Sequence, residues 1–128
     1  MPEKLSWIDT NAGVGYSQAV RLGDLIFVSG QVAWDSEGRV VGFGDPLAQA
    51  RQAFANLRSV LERSGSGLDR VGKIFMLATS RDHLAVLRQV RHEVFDPIGH
   101  YPAATFAVVD GLASADLLVE IEAVAIAR

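Results

Sequence analysis

The chain has 128 residues, of which 49% are hydrophobic and 21% charged, with a formal net charge of −3, a pI near 5.5 and no cysteine. That length is close to the roughly 100–150 residues of one domain, the apolar content is too high for a disordered chain, and no apolar run approaches the roughly 20 residues of a membrane span. The missing cysteines exclude disulfides, thiolate metal sites and a cysteine nucleophile, and the acidic balance gives no electrostatic reason to expect a nucleic acid, whose nonspecific affinity comes from Lys and Arg on phosphates. One domain over 1–128 is expected. The start Met1-Pro2-Glu3-Lys4-Leu5-Ser6 lacks the basic region and apolar core of a secretion signal, which makes a cytoplasmic location the expectation, with no membrane partner.

In chain order, Gly13-Val14-Gly15 has two of the three glycines of a dinucleotide fingerprint, but Gln18 stands at the third position and no strand is expected before it, so it is taken as a loop. Asp24 to Trp34 is rich in β-branched and aromatic residues and is expected as a strand, apolar on both faces and interrupted at Ser29-Gly30-Gln31. A glycine inside such a run marks a bulge or a close approach by another group, because it removes the Cβ. Asp35-Ser36-Glu37-Gly38 supplies a turn, and Arg39-Val40-Val41 is expected to return as a short strand. Asp45 then caps a helix with Pro46 in its first turn. Leu47, Ala50, Phe54, Leu57 and Leu61 follow at helical spacing until Gly65 and Gly67 end it. Lys73 to Thr79 is a second apolar strand. A second helix is expected after Asp82 with Leu84, Leu87, Val90, Val94 and Phe95, stopped by Pro97. Ala103 to Val109 and Leu117 to Ala127 are two closing strands, separated by a turn at Asp110-Gly111.

This order predicts an α+β fold, a mixed β-sheet with two helices packed on one face. In the last strand Leu117, Val119, Ile121, Ala123 and Ala125 point one way, and Leu118, Glu120, Glu122, Val124 and Ile126 the other. Two helices cover one side only, so the mostly apolar second face predicts a homo-oligomer.

Glu120 and Glu122 share that second face about 6.6 Å apart by strand rise, a spacing that suits an acid and base pair if the apolar flanks desolvate one of them, and a solvated rim if they do not. His83, His92 and His100 lack the spacing and companion carboxylates of a zinc helix, so no metal is expected. Ser29 has no nucleophile-elbow pattern around it, which points to a backbone or packing role. Arg81, Arg88 and Arg91 recur at helical spacing and form either a solvated face or a basic stripe.

Four segments in register resemble the RidA/YjgF family. They are Gly15-Tyr16-Ser17-Gln18-Ala19-Val20, Phe27-Val28-Ser29-Gly30-Gln31, Gln49 to Asn56-Leu57 and Val119-Glu120-Ile121-Glu122-Ala123. The resemblance implies the fold of the trimeric bacterial chorismate mutases, a homotrimer with small-molecule clefts between neighbouring subunits, and hydrolysis of small imines or enamines to a keto compound and ammonia without metal or organic cofactor. It implies that Glu120 positions water and moves the proton, that Tyr16 and Gly30 line the cleft, and that the backbone around Thr105 and Phe106 lies beside the ligand. Pro102-Ala103-Ala104-Thr105 departs from the pattern of the deaminating members, which read Pro-Ala-Arg-Ser. Ala104 replaces the arginine that clamps a substrate carboxylate, so efficient deamination of 2-aminoacrylate is not expected. Arg88 stands where those members have an asparagine and is the candidate for a relocated cation. The alternative is a trimer that binds or senses a small metabolite without catalysis.

Overall fold

A computed structural model describes residues 5–128 of the chain, so the N-terminal reading on residues 1–4 lies outside the described residues. The elements are β1 (Leu5–Asn11), β2 (Tyr16–Leu22), β3 (Leu25–Gln31), α1 (Pro46–Arg63), β4 (Val71–Ala78), α2 (Leu84–Phe95), β5 (Ala103–Val108) and β6 (Val119–Ile126). Single 3-10 turns at Leu68–Arg70 and Arg81–His83 precede β4 and α2. No described helix is long and apolar enough to cross a membrane.

The expected α+β architecture is present. One six-stranded sheet runs in the order β1-β2-β3-β6-β4-β5, and every pairing is antiparallel except that of β4 with β5, which α2 connects as a crossover. The Asp45 carboxylate accepts from the Ala48 N–H at 3.1 Å, with Pro46 at the first helical position, as the cap pattern predicts. The entry to α2 is less direct. The Ser80 hydroxyl accepts from the Asp82 N–H at 3.1 Å and caps a single 3-10 turn, so the helix itself begins at Leu84.

Two strands escaped the sequence pattern. β1 and β2 form a hairpin through Asn11, whose carbonyl accepts from the Gly15 N–H at 2.8 Å, while Gly15 adopts a φ of +81°. Ser6, Asp9, Thr10, Ser17, Gln18 and Arg21 interrupt the apolar alternation, because these strands lie toward the edge of the sheet and bury little. A strand therefore does precede Gly13-Val14-Gly15, contrary to expectation. Another strand follows it rather than a helix, so the segment still lacks the dinucleotide-binding context. The short strand expected at Arg39-Val40-Val41 reduces to a single bridge between Trp34 and Val40.

The core lies between the sheet and the helices. Ala50, Ala53, Phe54, Leu57 and Leu61 of α1 and Leu87, Val90 and Phe95 of α2 pack against Ile26, Val28, Ile74, Met76, Val119 and Ile121. Phe54 and Phe95 meet edge-to-face with centroids 6.3 Å apart. The opposite face carries Leu25, Phe27 and Ile126 at 41–47% exposure, and nothing else in the described chain covers it.

Candidate functional site

The strand alternation in β6 is as read. Val119, Ile121, Ala123 and Ala125 are buried under the helices, and Glu120, Glu122 and Val124 point to the open side. Glu120 is half-buried and Glu122 exposed. Register sets this difference. Glu122 lies opposite Phe75, inside the break of the β3–β6 ladder and open to solvent, whereas Glu120 lies opposite Leu77, just past the break, where its side chain packs on Gly30.

That break is a bulge. Val28 pairs with Ala123 and Gln31 with Ile121, leaving Ser29 and Gly30 out of the ladder. The Glu120 side chain occupies the space that a side chain at position 30 would need. A Cβ built there would lie 2.6 Å from Glu120 Cδ and 2.8 Å from Oε2. Desolvation from this packing raises the Glu120 pKa above the ordinary carboxylate value, and the negative charge of Glu122 adds to the rise. Ser29 donates from Oγ to the Ser17 carbonyl at 2.6 Å, the backbone role its sequence context implied.

Gly30 also lines a cleft of about 390 Å³ together with Tyr16, Gln18, Trp34, Asn56 and Arg63. Glu120 does not line this cleft; the two meet at Gly30. The cleft's polar groups are held in place. Gln31 Nε2 donates to Gln18 Oε1 at 2.9 Å, Asn56 Nδ2 donates to the carbonyls of Val32 and Trp34 at 2.8 Å each, and Arg63 Nε donates to Asp9 at 2.8 Å. Asp9 sits at φ +51° on β1, where the hairpin register skips from Ile8 to Thr10, so the Arg63 contact ties an irregular strand to α1.

A single protomer thus sets Glu120 against Gly30 and places Gly30 and Tyr16 in one cleft, but does not bring the other expected site residues to them. Thr105 shares the open face, level with Phe75 and Glu122, and accepts from Lys73 Nζ at 2.6 Å. It lies two strands and two residues from Glu120, about 12 Å by strand spacing. Phe106 takes the register of Met76 and packs on the core side. Ala104 is exposed on the edge strand β5, level with Ile74. Arg88 is exposed on α2, on the helix-covered side of the sheet and away from Glu120. His92 meets Asp96 at 3.0 Å and Tyr101 by an edge-to-face contact, a surface cluster at the end of α2.

Sequence reasoning missed Gln18, Gln31, Trp34, Asn56 and Arg63 as cleft residues. The signal available for Asn56 was a polar side chain on the same turn as buried Leu57, two helical turns after Gln49.

The family model described as Endoribonuclease L-PSP matches residues 9–127. A RutC family protein of Pyrococcus abyssi is 33% identical over 110 residues, covering 86% of this chain and 84% of its own length. Among solved structures, the Rid family protein YyfA from Yersinia pestis, itself of unknown function, superposes with a TM-score of 0.87 at 28% identity, over 95% of this chain and 98% of that one. TdcF of E. coli, solved with bound serine, superposes with a TM-score of 0.81 at 28% identity over 88% of each chain.

Proposed function

The chain belongs to the endoribonuclease L-PSP family, the group of the Rid and YjgF proteins, and from that premise we propose that it is a cofactor-free hydrolase of a small imine, enamine or related intermediate, with Glu120 as its proton-handling group. The family is known for binding small metabolites, and TdcF with its bound serine is an instance. The observation that carries the reading is the half-buried Glu120 carboxyl pressed against Gly30, with its pKa raised by burial. Such a group is protonated over a wider pH range than a solvated glutamate and suits both halves of the reaction. It gives a proton to the imine nitrogen, then takes one from the water that adds to the imine carbon. The carbinolamine that results collapses to a carbonyl compound and ammonia.

The open sheet face with Leu25, Phe27 and Ile126 is covered, in this proposal, by two further copies in a homotrimer. A neighbouring subunit then supplies what the protomer does not place beside Glu120, including Thr105, the backbone at Phe106 and, as a relocated cation, Arg88. Ala104 argues for a substrate whose recognition does not depend on an arginine clamp, and so against efficient 2-aminoacrylate turnover. The same alanine favours a second reading, a non-catalytic trimer that binds or senses a metabolite. A ribonuclease reading of the family description is disfavoured by the net charge of −3. The proposed location is the cytoplasm.

One assay separates the two readings. Imines are generated from several amino acids by an amino-acid oxidase, and keto-acid release is followed with wild-type protein and with Glu120→Gln. Acceleration by the wild type alone supports the hydrolase. No acceleration by either protein, together with a metabolite that raises the melting temperature of the assembly, supports the binding module.

A further inference from the structure

Helix α1 carries two side-chain amides that reach out of the helix and grip the chain beside the Gly30–Glu120 contact. Gln49 is fully buried and uses both ends of its amide. Nε2 donates to the carbonyls of Gly42 at 3.1 Å and Asp116 at 2.9 Å, and Oε1 accepts from the Leu118 N–H at 2.8 Å. Asn56 donates from Nδ2 to the carbonyls of Val32 and Trp34, and its Oδ1 accepts from Gln52 Nε2 at 2.8 Å. The two residues are seven positions apart, within about 20° of one helical face and about 10 Å apart along the axis. One grips the chain two residues before Glu120, the other two residues after Gly30.

These are the places where β3 and β6 do not hold each other by ladder hydrogen bonds. The β3–β6 ladder is interrupted between Val28 and Gln31, and at the far end of that gap β3 leaves the sheet while β6 enters it. The β4–β6 ladder holds the Glu120 backbone from one side, through Leu77, and Ser29 is tied to the Ser17 carbonyl; on the β3 side of the gap the amides of α1 add the fixed points that the broken ladder lacks. No buried side-chain polar atom among the described residues lacks a partner, so the amide groups of this network are satisfied in the arrangement seen. Gly42 is seated equally closely. It has φ +79°, and a Cβ there would lie 2.7 Å from Ala48 Cβ and 3.2 Å from the Gln49 nitrogen.

We infer that Gln49 and Asn56 are positioning residues, a two-point clamp through which α1 sets the distance between Gly30 and the Glu120 carboxyl. The inference rests on Glu120 being the working group of the site, but its test does not depend on turnover.

The test is a carbon-13 NMR titration of the glutamate carboxyls in wild type, Gln49→Met and Asn56→Leu, with Glu120→Gln identifying the Glu120 signal. Both replacements keep side-chain volume and remove the amide. The clamp predicts that the Glu120 midpoint moves down toward the ordinary glutamate range in each folded variant, as the carboxyl leaves its packed position. A folded variant of lowered stability whose Glu120 midpoint equals that of wild type overturns the clamp, since a role in stability alone leaves that signal in place. If Gln49→Met fails to fold, Asn56→Leu decides, because Asn56 is only partly buried whereas Gln49 is fully buried. The titration is read without substrate, so a failed imine assay leaves it standing, and a failed titration leaves the hydrolase reading standing.

Discussion

The Glu120 carboxyl lies against the backbone of Gly30, and the fit leaves no room for a methyl group: a Cβ at position 30 would meet Glu120 Cδ at 2.6 Å and Cγ at 3.0 Å. A strand bulge, a glycine and a half-buried acid thus form one unit. Bulges re-aim side chains and release backbone from the ladder, and here one of the two released residues, Gly30, has no side chain of its own.

Gly30→Ala will displace the Glu120 carboxyl toward the open face. Because the group that gives way is the end of a flexible side chain, the cost lies at the low end of overpacking, about 1 kcal/mol or less, readable as a small drop in the urea midpoint when variants are compared at equal protomer concentration. Any turnover that depends on Glu120 falls with it. Unchanged stability and unchanged turnover together would show that the contact is slack.

Glu120→Gln will stabilise the protein at neutral pH. The folded-state pKa is raised, first by burial and then by Glu122, so between the ordinary glutamate value and the raised one the native state holds a proton that the unfolded chain has released. Stability from this group is therefore complete below the ordinary glutamate pKa and declines as pH rises through the raised value. The variant removes that decline. Melting temperatures across a pH series should diverge in its favour above the ordinary carboxylate range and converge below it, and a gain that is constant with pH contradicts the assignment.

Phe27→Asp places a charge in the apolar field of Leu25, Phe27 and Ile126, which the chain itself leaves uncovered. Burying an unpaired carboxylate between subunits is unfavourable by several kcal/mol, so the expected outcome is loss of the oligomer with the fold of the protomer retained. Native mass spectrometry reads this directly. A wild-type protein that is monomeric at all concentrations refutes the intersubunit cleft.

Ala104→Arg supplies a guanidinium at the position where the family resemblance implies one. Position 104 is exposed on the edge strand and accepts the longer side chain without repacking. A charge-assisted contact of about 1.5–3 kcal/mol corresponds to roughly a 10- to 100-fold rise in kcat/KM for imines that bear a carboxylate, with little change for neutral ones. Arg88→Ala tests the complementary idea, and carboxylate binding that survives it unchanged removes Arg88 from the site.

The part of the site read most directly was Gly30, because a glycine within Leu25–Gln31 marks a bulge or a close approach, and here it takes part in both. What approaches it was not readable, since Glu120 is 90 positions away and the bulge that aligns them is a property of the β3–β6 ladder. Glu120 and Glu122 were indistinguishable by alternation, and only the neighbours supplied by β3 and β4 separate a half-buried acid from an exposed one. The first two strands were missed because an edge hairpin buries too little to need a clean apolar alternation. Gln49 and Asn56 looked like ordinary polar positions of an amphipathic helix until their backbone partners, up to 69 residues away, came into view.

Local chemistry was enough for the helix caps, the core stripe of α1, the alternation in β6 and the open apolar face, because each depends on residues a few positions apart. Four short segments in register were enough to point to the family. Which carboxylate is desolvated, what fills the space above Gly30 and which amides stand in where the ladder breaks were decided by the fold. Desolvation and packing depend on what surrounds a group in space, and in this sheet those surroundings come from strands that are remote along the chain.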